Sequence, residues 1–160
     1  MQFQDLIYEV RNGVAWIIIN RPEVMNAFRE QTLDELIDAL KSTRNDPMIA
    51  CAVICGAGDK AFSAGGDFHA MMKLNRSNAM HWNDRMLGTA MTIRGLNIPV
   101  IAMVDGWCIG GGNELQLWCD LVIASDDAVF GQSGAKVGAC PTVGATQYLP
   151  RIIGERLARE

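Results

Sequence analysis

Two short apolar runs, Leu6–Val10 and Val14–Ile19, flank the dipeptide Asn12-Gly13. A tight primed turn needs positive φ at its central residues, which Asn-Gly tolerates, so the pair predicts a β-hairpin. Asn20-Arg21-Pro22 closes the second strand. From Arg29 to Arg44 the period changes. Leu33, Leu36, Ile37 and Leu40 fall at i, i+3, i+4 and i+7, one apolar helical stripe. Thr32 and Glu35 have the spacing of a capping box at its start, and Pro47 marks the exit.

Ala50–Cys55 is apolar without interruption and short, as a strand buried on both faces requires. Gly56-Ala-Gly58 ends it, and the glycine-rich Ser63–Asp67 follows. Ser77–Arg94 predicts a helix with a mixed stripe. Pro99–Val104 is a second buried strand, its proline at the tolerated first position. Asp105-Gly106 and Gly110–Gly112 come next, then a helix over Asn113–Cys119. Leu121–Ser125 and Ala128–Phe130 predict short strands, Gly131–Gly144 a glycine-rich loop, and Arg151–Glu160 a helix. Strand pairs between helices predict an α/β fold in a single unit, 1–160. The last helical pattern, Gly154–Glu160, carries no C-cap signal, so a truncated chain is expected.

Composition narrows the function classes. Of 160 residues, 49% are apolar and 20% charged, which excludes a disordered chain. Fourteen basic against eighteen acidic residues give a net charge of −4 without a basic run, which argues against nucleic-acid binding. The apolar runs are too short to cross a bilayer, and the N-terminus shows no signal-peptide pattern, so a cytoplasmic location is expected. Five cysteines without a C-x-x-C pair read as small buried hydrophobes rather than disulfides. With only His69 and His81 and no Cys/His cluster, no metal site is expected.

The chemistry concentrates in two glycine-rich segments, each following a buried strand: Ala61–Asp67 and Gly106–Glu114. Ligands of open α/β sheets bind beyond the carboxyl ends of strands, and glycine lets a ligand approach the backbone closely. Two such loops side by side can aim peptide N–H groups at one developing negative oxygen, helped by the N-terminus of the helix near Asn113. Glu114, in that helix's first turn, is placed as an acid/base beside it; dipole complementation alone is the competing reading. A P-loop and a dinucleotide fingerprint are both absent. Ser133 misses the nucleophile-elbow spacing by one residue, and Ser63 has no histidine partner in sequence. His69 reads as a surface or packing residue.

These residues carry a resemblance. Phe62-Ser-Ala-Gly-Gly-Asp67 resembles the first oxyanion segment of the crotonase, or enoyl-CoA hydratase/isomerase, superfamily. Gly106–Asp120 resembles its second segment, Asn20–Ala27 its coenzyme A-contacting loop, and Gly138–Gln147 with Arg151–Gly154 its later loop and helix. The matches occur in the family's order. The resemblance implies a spiral of ββα turns, assembled as trimers or hexamers, acting on acyl-CoA thioesters with coenzyme A as part of the substrate and no separate cofactor. It implies the N–H groups of Ala64 and Gly111 as oxyanion donors and Glu114 as catalytic carboxylate. Gly65, Gly66 and Asp67 would belong to the substrate-binding loop, Asp67 as a shaping residue, and Met25 and Ala27 would lie along the coenzyme A arm, contacting it through backbone.

One position departs from the pattern. Typical hydratases of this family use two glutamates, and the second aligns with Gly134. The surrounding Gly131–Gly138 is similar to dihydroxynaphthoyl-CoA synthases and ketocyclohexanecarboxyl-CoA hydrolases, which commonly lack the glutamate matched by Glu114 and carry an acidic residue where Pro141 stands. The resemblance therefore implies enoyl-CoA hydration or isomerisation, a lyase- or isomerase-type step as in fatty acid metabolism. Ring cleavage or closure on a cyclic acyl-CoA is the alternative, and non-catalytic acyl-CoA binding a third.

Overall fold

In a computed structural model, which describes residues 2–160, the hairpin forms as Asn-Gly dictates. β1 (Leu6–Arg11) runs antiparallel to β2 (Val14–Ile19), with Asn12 and Gly13 at φ 52° and 78°. β2 then pairs in parallel with β3 (Cys51–Gly56), β3 with β5 (Val100–Val104), and β5 with β7 (Leu121–Ala124). The result is a five-stranded sheet of order β1-β2-β3-β5-β7.

A second sheet grows in step. β4 (Ala61–Ser63), β6 (Trp107–Ile109) and β8 (Val129–Gly131) pair in parallel in the order β4-β6-β8. Each of β3, β5 and β7 is followed by its partner in the small sheet, so the chain winds forward one strand pair at a time. Sequence patterning predicts neither β4 nor β6, because three-residue strands embedded in glycine-rich segments show no period. The short helix α2 (Phe68–Met71) is missed for the same reason.

Helices cover the large sheet. α1 (Glu30–Arg44) buries Leu33, Leu36, Ala39 and Leu40, while Ile37 is half-buried facing Gly88 of α3 (Ala79–Arg94). The expected capping box does not form. Thr32 Oγ1 accepts the Arg29 N–H at 3.2 Å, and Glu35 instead accepts the N–H groups of Gln4 and Asp5, both at 2.8 Å. Buried Asp5 takes Arg29 Nε at 2.7 Å and Thr32 Oγ1 at 2.6 Å, so one ion pair and these hydrogen bonds fasten the residues just before β1 to the start of α1.

α4 (Gly111–Trp118) starts two residues before the expected Asn113. α5 (Ala145–Ile153) starts six residues before Arg151 and is separated from α6 (Glu155–Arg159) by Gly154 at φ 85°. Ser133–Val137 within the expected loop is a 3₁₀ turn. Cys55, Cys108 and Cys119 are buried and Cys140 is exposed; burial pushes the Cys108 thiol up to about 12, which leaves it an unreactive core group. No helix among the described residues is long and apolar enough to cross a membrane.

Candidate active site

β4 and β6 lie side by side, so the glycine turns that leave them meet. A Cβ placed on Gly65 would stand 2.6 Å from the Gly111 nitrogen, and one on Gly111 would stand 3.6 Å from the Gly66 nitrogen. Gly65 must be glycine twice over, for that close approach and for its φ of 86°.

Which N–H groups are open follows from peptide geometry. In a trans peptide the C=O and N–H point in opposite directions. The Gly65 carbonyl accepts the Phe28 N–H at 2.6 Å, so the Gly66 N–H faces away from Phe28. The Gly110 carbonyl accepts the Glu114 N–H at 2.9 Å as the first bond of α4, so the Gly111 N–H faces out of the helix N-terminus. Gly66 and Gly111 line one cavity of about 120 Å³, together with Glu114, Trp82, Met86 and Gly134.

Ala64 is not the first donor. Its N–H is committed to the Met25 carbonyl at 2.9 Å, and although Ala64 lines the cavity, that amide turns back into the loop before α1. The open donor of this segment is the Gly66 N–H. Ser63 is fully buried, donates to the Asn26 carbonyl at 2.7 Å and accepts the Gly65 N–H at 3.1 Å, a bracing role and not a nucleophile's. His69 is exposed and does not line the cavity.

The loop before α1 braces the first turn. Met25 and Asn26 both sit at φ 54°, a left-handed conformation that asparagine tolerates better than most residues. Asn26, 1% exposed, accepts the Arg21 N–H and donates to the carbonyls of Ala57 and Ala61 at 2.9 and 2.7 Å. Sequence reasoning passed over it; an asparagine in an otherwise apolar stretch was the available signal. Met25 lines a second cavity of about 120 Å³ with Pro22, Gly58 and Lys60. Ala27 lines neither cavity: it is buried, its carbonyl accepting Arg21 Nη1 at 2.6 Å and its N–H donating to Val24. Asp67 caps the Ala70 N–H at 3.1 Å and accepts Arg21 Nη2 at 3.0 Å. Burial raises its pKa, but these bonds and the Arg21 charge outweigh burial and hold it below the ordinary carboxylate value.

Glu114 is buried at 4% exposure in the first turn of α4. Its Oε1 accepts the N–H groups of Val143 and Ala145 at 2.9 and 3.3 Å. Desolvation outweighs these bonds and pushes the carboxyl above its ordinary value. At Gly134, a Cβ would stand 3.1 Å from the Ala139 carbonyl oxygen. That carbonyl is fixed because the Ala139 N–H bonds back to the Gly134 oxygen at 2.9 Å, so the turn closes where a second carboxylate's stem would start.

The sequence model of the enoyl-CoA hydratase/isomerase family matches residues 9–160. The chain belongs to that family. Among solved structures, the Bacillus anthracis enoyl-CoA hydratase superposes with a TM-score of 0.92 at 32% identity, over 98% of this chain and 61% of that one. Pseudomonas aeruginosa DspI gives 0.92 at 31%, over 99% and 61%. The Thermoplasma volcanium enoyl-CoA hydratase gives 0.90 at 32%, over 97% and 62%. The chain thus spans about three-fifths of the length of these structures. Its two-sheet winding is the crotonase fold, and as an enoyl-CoA hydratase/isomerase family member it has its glycine turns and Glu114 where the fold brings successive strand pairs together.

Proposed function

We propose that this protein binds acyl-CoA thioesters and stabilises the thioester enolate with the N–H groups of Gly66 and Gly111, Glu114 carrying the proton. The observation that carries this reading is one cavity holding two outward-facing peptide donors and a buried carboxylate of raised pKa. Donors fixed before reaction favour the oxyanion over the ground-state carbonyl, since they need no reorganisation as charge develops.

In hydration of an enoyl-CoA, Glu114 takes a proton from water as the water oxygen bonds to Cβ. The electron pair moves to the thioester oxygen between Gly66 and Gly111. The carboxyl then returns the proton to Cα. Double-bond migration uses the same parts: the carboxylate removes a proton from one carbon and returns it two carbons along. Met25 and its cavity are assigned to the coenzyme A arm, and coenzyme A enters as part of the substrate. Exposed apolar residues on the last strands, Leu121, Ile123, Val129 and Phe130, support an assembled trimer or hexamer in which they are covered.

Gly134 supports a second reading, ring cleavage or closure on a cyclic acyl-CoA, because the closed turn leaves one carboxylate in the cavity where a water-holding pair would otherwise stand. Short-chain and cyclic enoyl-CoAs, followed by loss of the conjugated thioester absorbance, separate the two. Turnover of the linear substrates supports hydration or migration, turnover of the cyclic ones alone supports the second reading, and acyl-CoA affinity without turnover marks a binder.

A further inference from the structure

Glu114 and Trp118 stand four residues apart on α4, one turn along the same helical face. Both reach the same residue. Glu114 Oε1 accepts the Val143 N–H at 2.9 Å, and Trp118 Nε1 donates to the Val143 carbonyl at 2.5 Å. Two side chains of one helix therefore grip both backbone groups of a buried residue 25 positions beyond the tryptophan. The Trp118 ring is itself held. It meets the Tyr148 ring edge-on at 5.2 Å, and the Arg94 guanidinium lies 5.8 Å from its centroid. Gly144, at φ 99°, leaves room for it, since a Cβ there would stand 3.3 Å from the indole.

We propose that Trp118 is a positioning residue for Glu114, fixing the Val143 peptide whose N–H orients the carboxylate in the cavity. The proposal deepens the enolate reading above but stands on the grip itself. Oε1 is anchored only as firmly as the segment that supplies its donors. Of the two donors, Ala145 is the first residue of α5, while Val143 belongs to residues 139–144 between the 3₁₀ turn and α5, which contain no strand or helix of their own. Without the indole bond the Val143 carbonyl loses its side-chain tether, and the N–H on the same residue is free to drift from Oε1. The anionic form of Glu114 then loses part of its stabilisation, while burial continues to oppose it.

The surroundings of the carboxylate leave this tether visible. Trp82 and Met86 from α3, and Gln132 and Ser133 after β8, line the cavity without charge. Cys140 is the one other titratable side chain in its wall. Cys108 of β6 is buried, and Tyr148 of α5 packs on the indole. Arg94 and its ion-pair partner Asp120 reach the indole end of α4, and the Glu114 shift is set by burial and backbone bonds alone.

The test uses ligand-free protein. The protonated-carboxyl infrared band that disappears in Glu114→Gln is followed across pH in wild type and in Trp118→Phe, which keeps an aromatic ring and removes the N–H. The expected result is a Glu114 midpoint higher by about one pH unit in Trp118→Phe, roughly a tenfold gain in proton affinity. An unchanged midpoint overturns the proposal. Should Trp118→Phe fail to fold, wild type decides: the Trp118 indole N–H resonance is expected to move with the Glu114 titration and to stay fixed in Glu114→Gln, and an indole signal indifferent to that titration overturns it. Neither measurement needs substrate, so a protein inactive on every acyl-CoA would refute the proposed function and leave this inference standing or falling on its own titration.

Discussion

The Met25 carbonyl accepts the Ala64 N–H at 2.9 Å and Ser63 Oγ accepts the Gly65 N–H at 3.1 Å, which leaves Gly66 as the open donor of the first glycine segment. The proposed donor pair is then Gly66 and Gly111, each N–H opposed to a carbonyl that is already bonded, by Phe28 and by Glu114 respectively.

Gly65→Ala should separate the pair. Its Cβ would stand 2.6 Å from the Gly111 nitrogen and 2.9 Å from the Ile109 carbonyl, at a φ that L-residues avoid. Loss of one oxyanion donor costs about 2.7–4 kcal/mol at the transition state, so kcat on the best enoyl-CoA is expected to fall by about 10²–10³-fold. Steady-state kinetics, with circular dichroism to verify folding, provide the check.

Glu114→Gln should lower kcat by about 10²–10⁴-fold with little change in KM. It should also stabilise the fold at high pH. The folded-state pKa of Glu114 is raised, so the stability it contributes is present in acid, below its unfolded value, and is lost as pH rises through the folded value. Melting curves across pH should show the Glu114→Gln protein gaining on wild type as pH rises. A gap independent of pH would contradict the raised pKa.

Asp5 behaves in the opposite sense. Burial raises its pKa, but hydrogen bonds from Arg29 and Thr32 and the Arg29 charge overcome that and hold it below the ordinary value of 3.8. Its stabilisation is therefore present above the unfolded pKa and is lost as pH falls through the folded one. Asp5→Ala leaves Thr32 buried without its acceptor and Arg29 without its partner. Because the Arg29 side chain is 43% exposed, the expected cost is about 2–3 kcal/mol, below that of a fully buried pair. Urea denaturation at neutral pH measures it.

Gly134→Ala should destabilise by about 1 kcal/mol, because the new methyl presses on the Ala139 carbonyl at 3.1 Å within a closed turn. For the same reason Gly134→Glu is expected to give no gain in hydration rate. A rate increase with that variant would show that the turn opens readily.

Much of this architecture lay in local pattern. Asn12-Gly13 dictates the hairpin, the stripe of Leu33, Leu36 and Leu40 dictates α1, and the apolar run before Gly56 dictates a buried strand, since each rests on neighbours in sequence. The place of Glu114 was legible as well, as a carboxylate in the first helical turn after a glycine run, although spacing alone left dipole complementation open and only the family resemblance pointed to a catalytic role.

What the sequence by itself determined was that two glycine turns and one glutamate stand at the ends of buried strands. Only tertiary structure decided which amides stay open. Every residue of Ser63–Asp67 carries an N–H, and the choice among them falls to Met25 and Phe28, in a loop far earlier in the chain, together with the Ser63 hydroxyl that takes the Gly65 N–H. The grip on Val143 is likewise invisible in sequence, because Glu114 and Trp118 reach it 29 and 25 residues away. Hydrogen bonds across such separations are fixed by packing, and packing has no period to read.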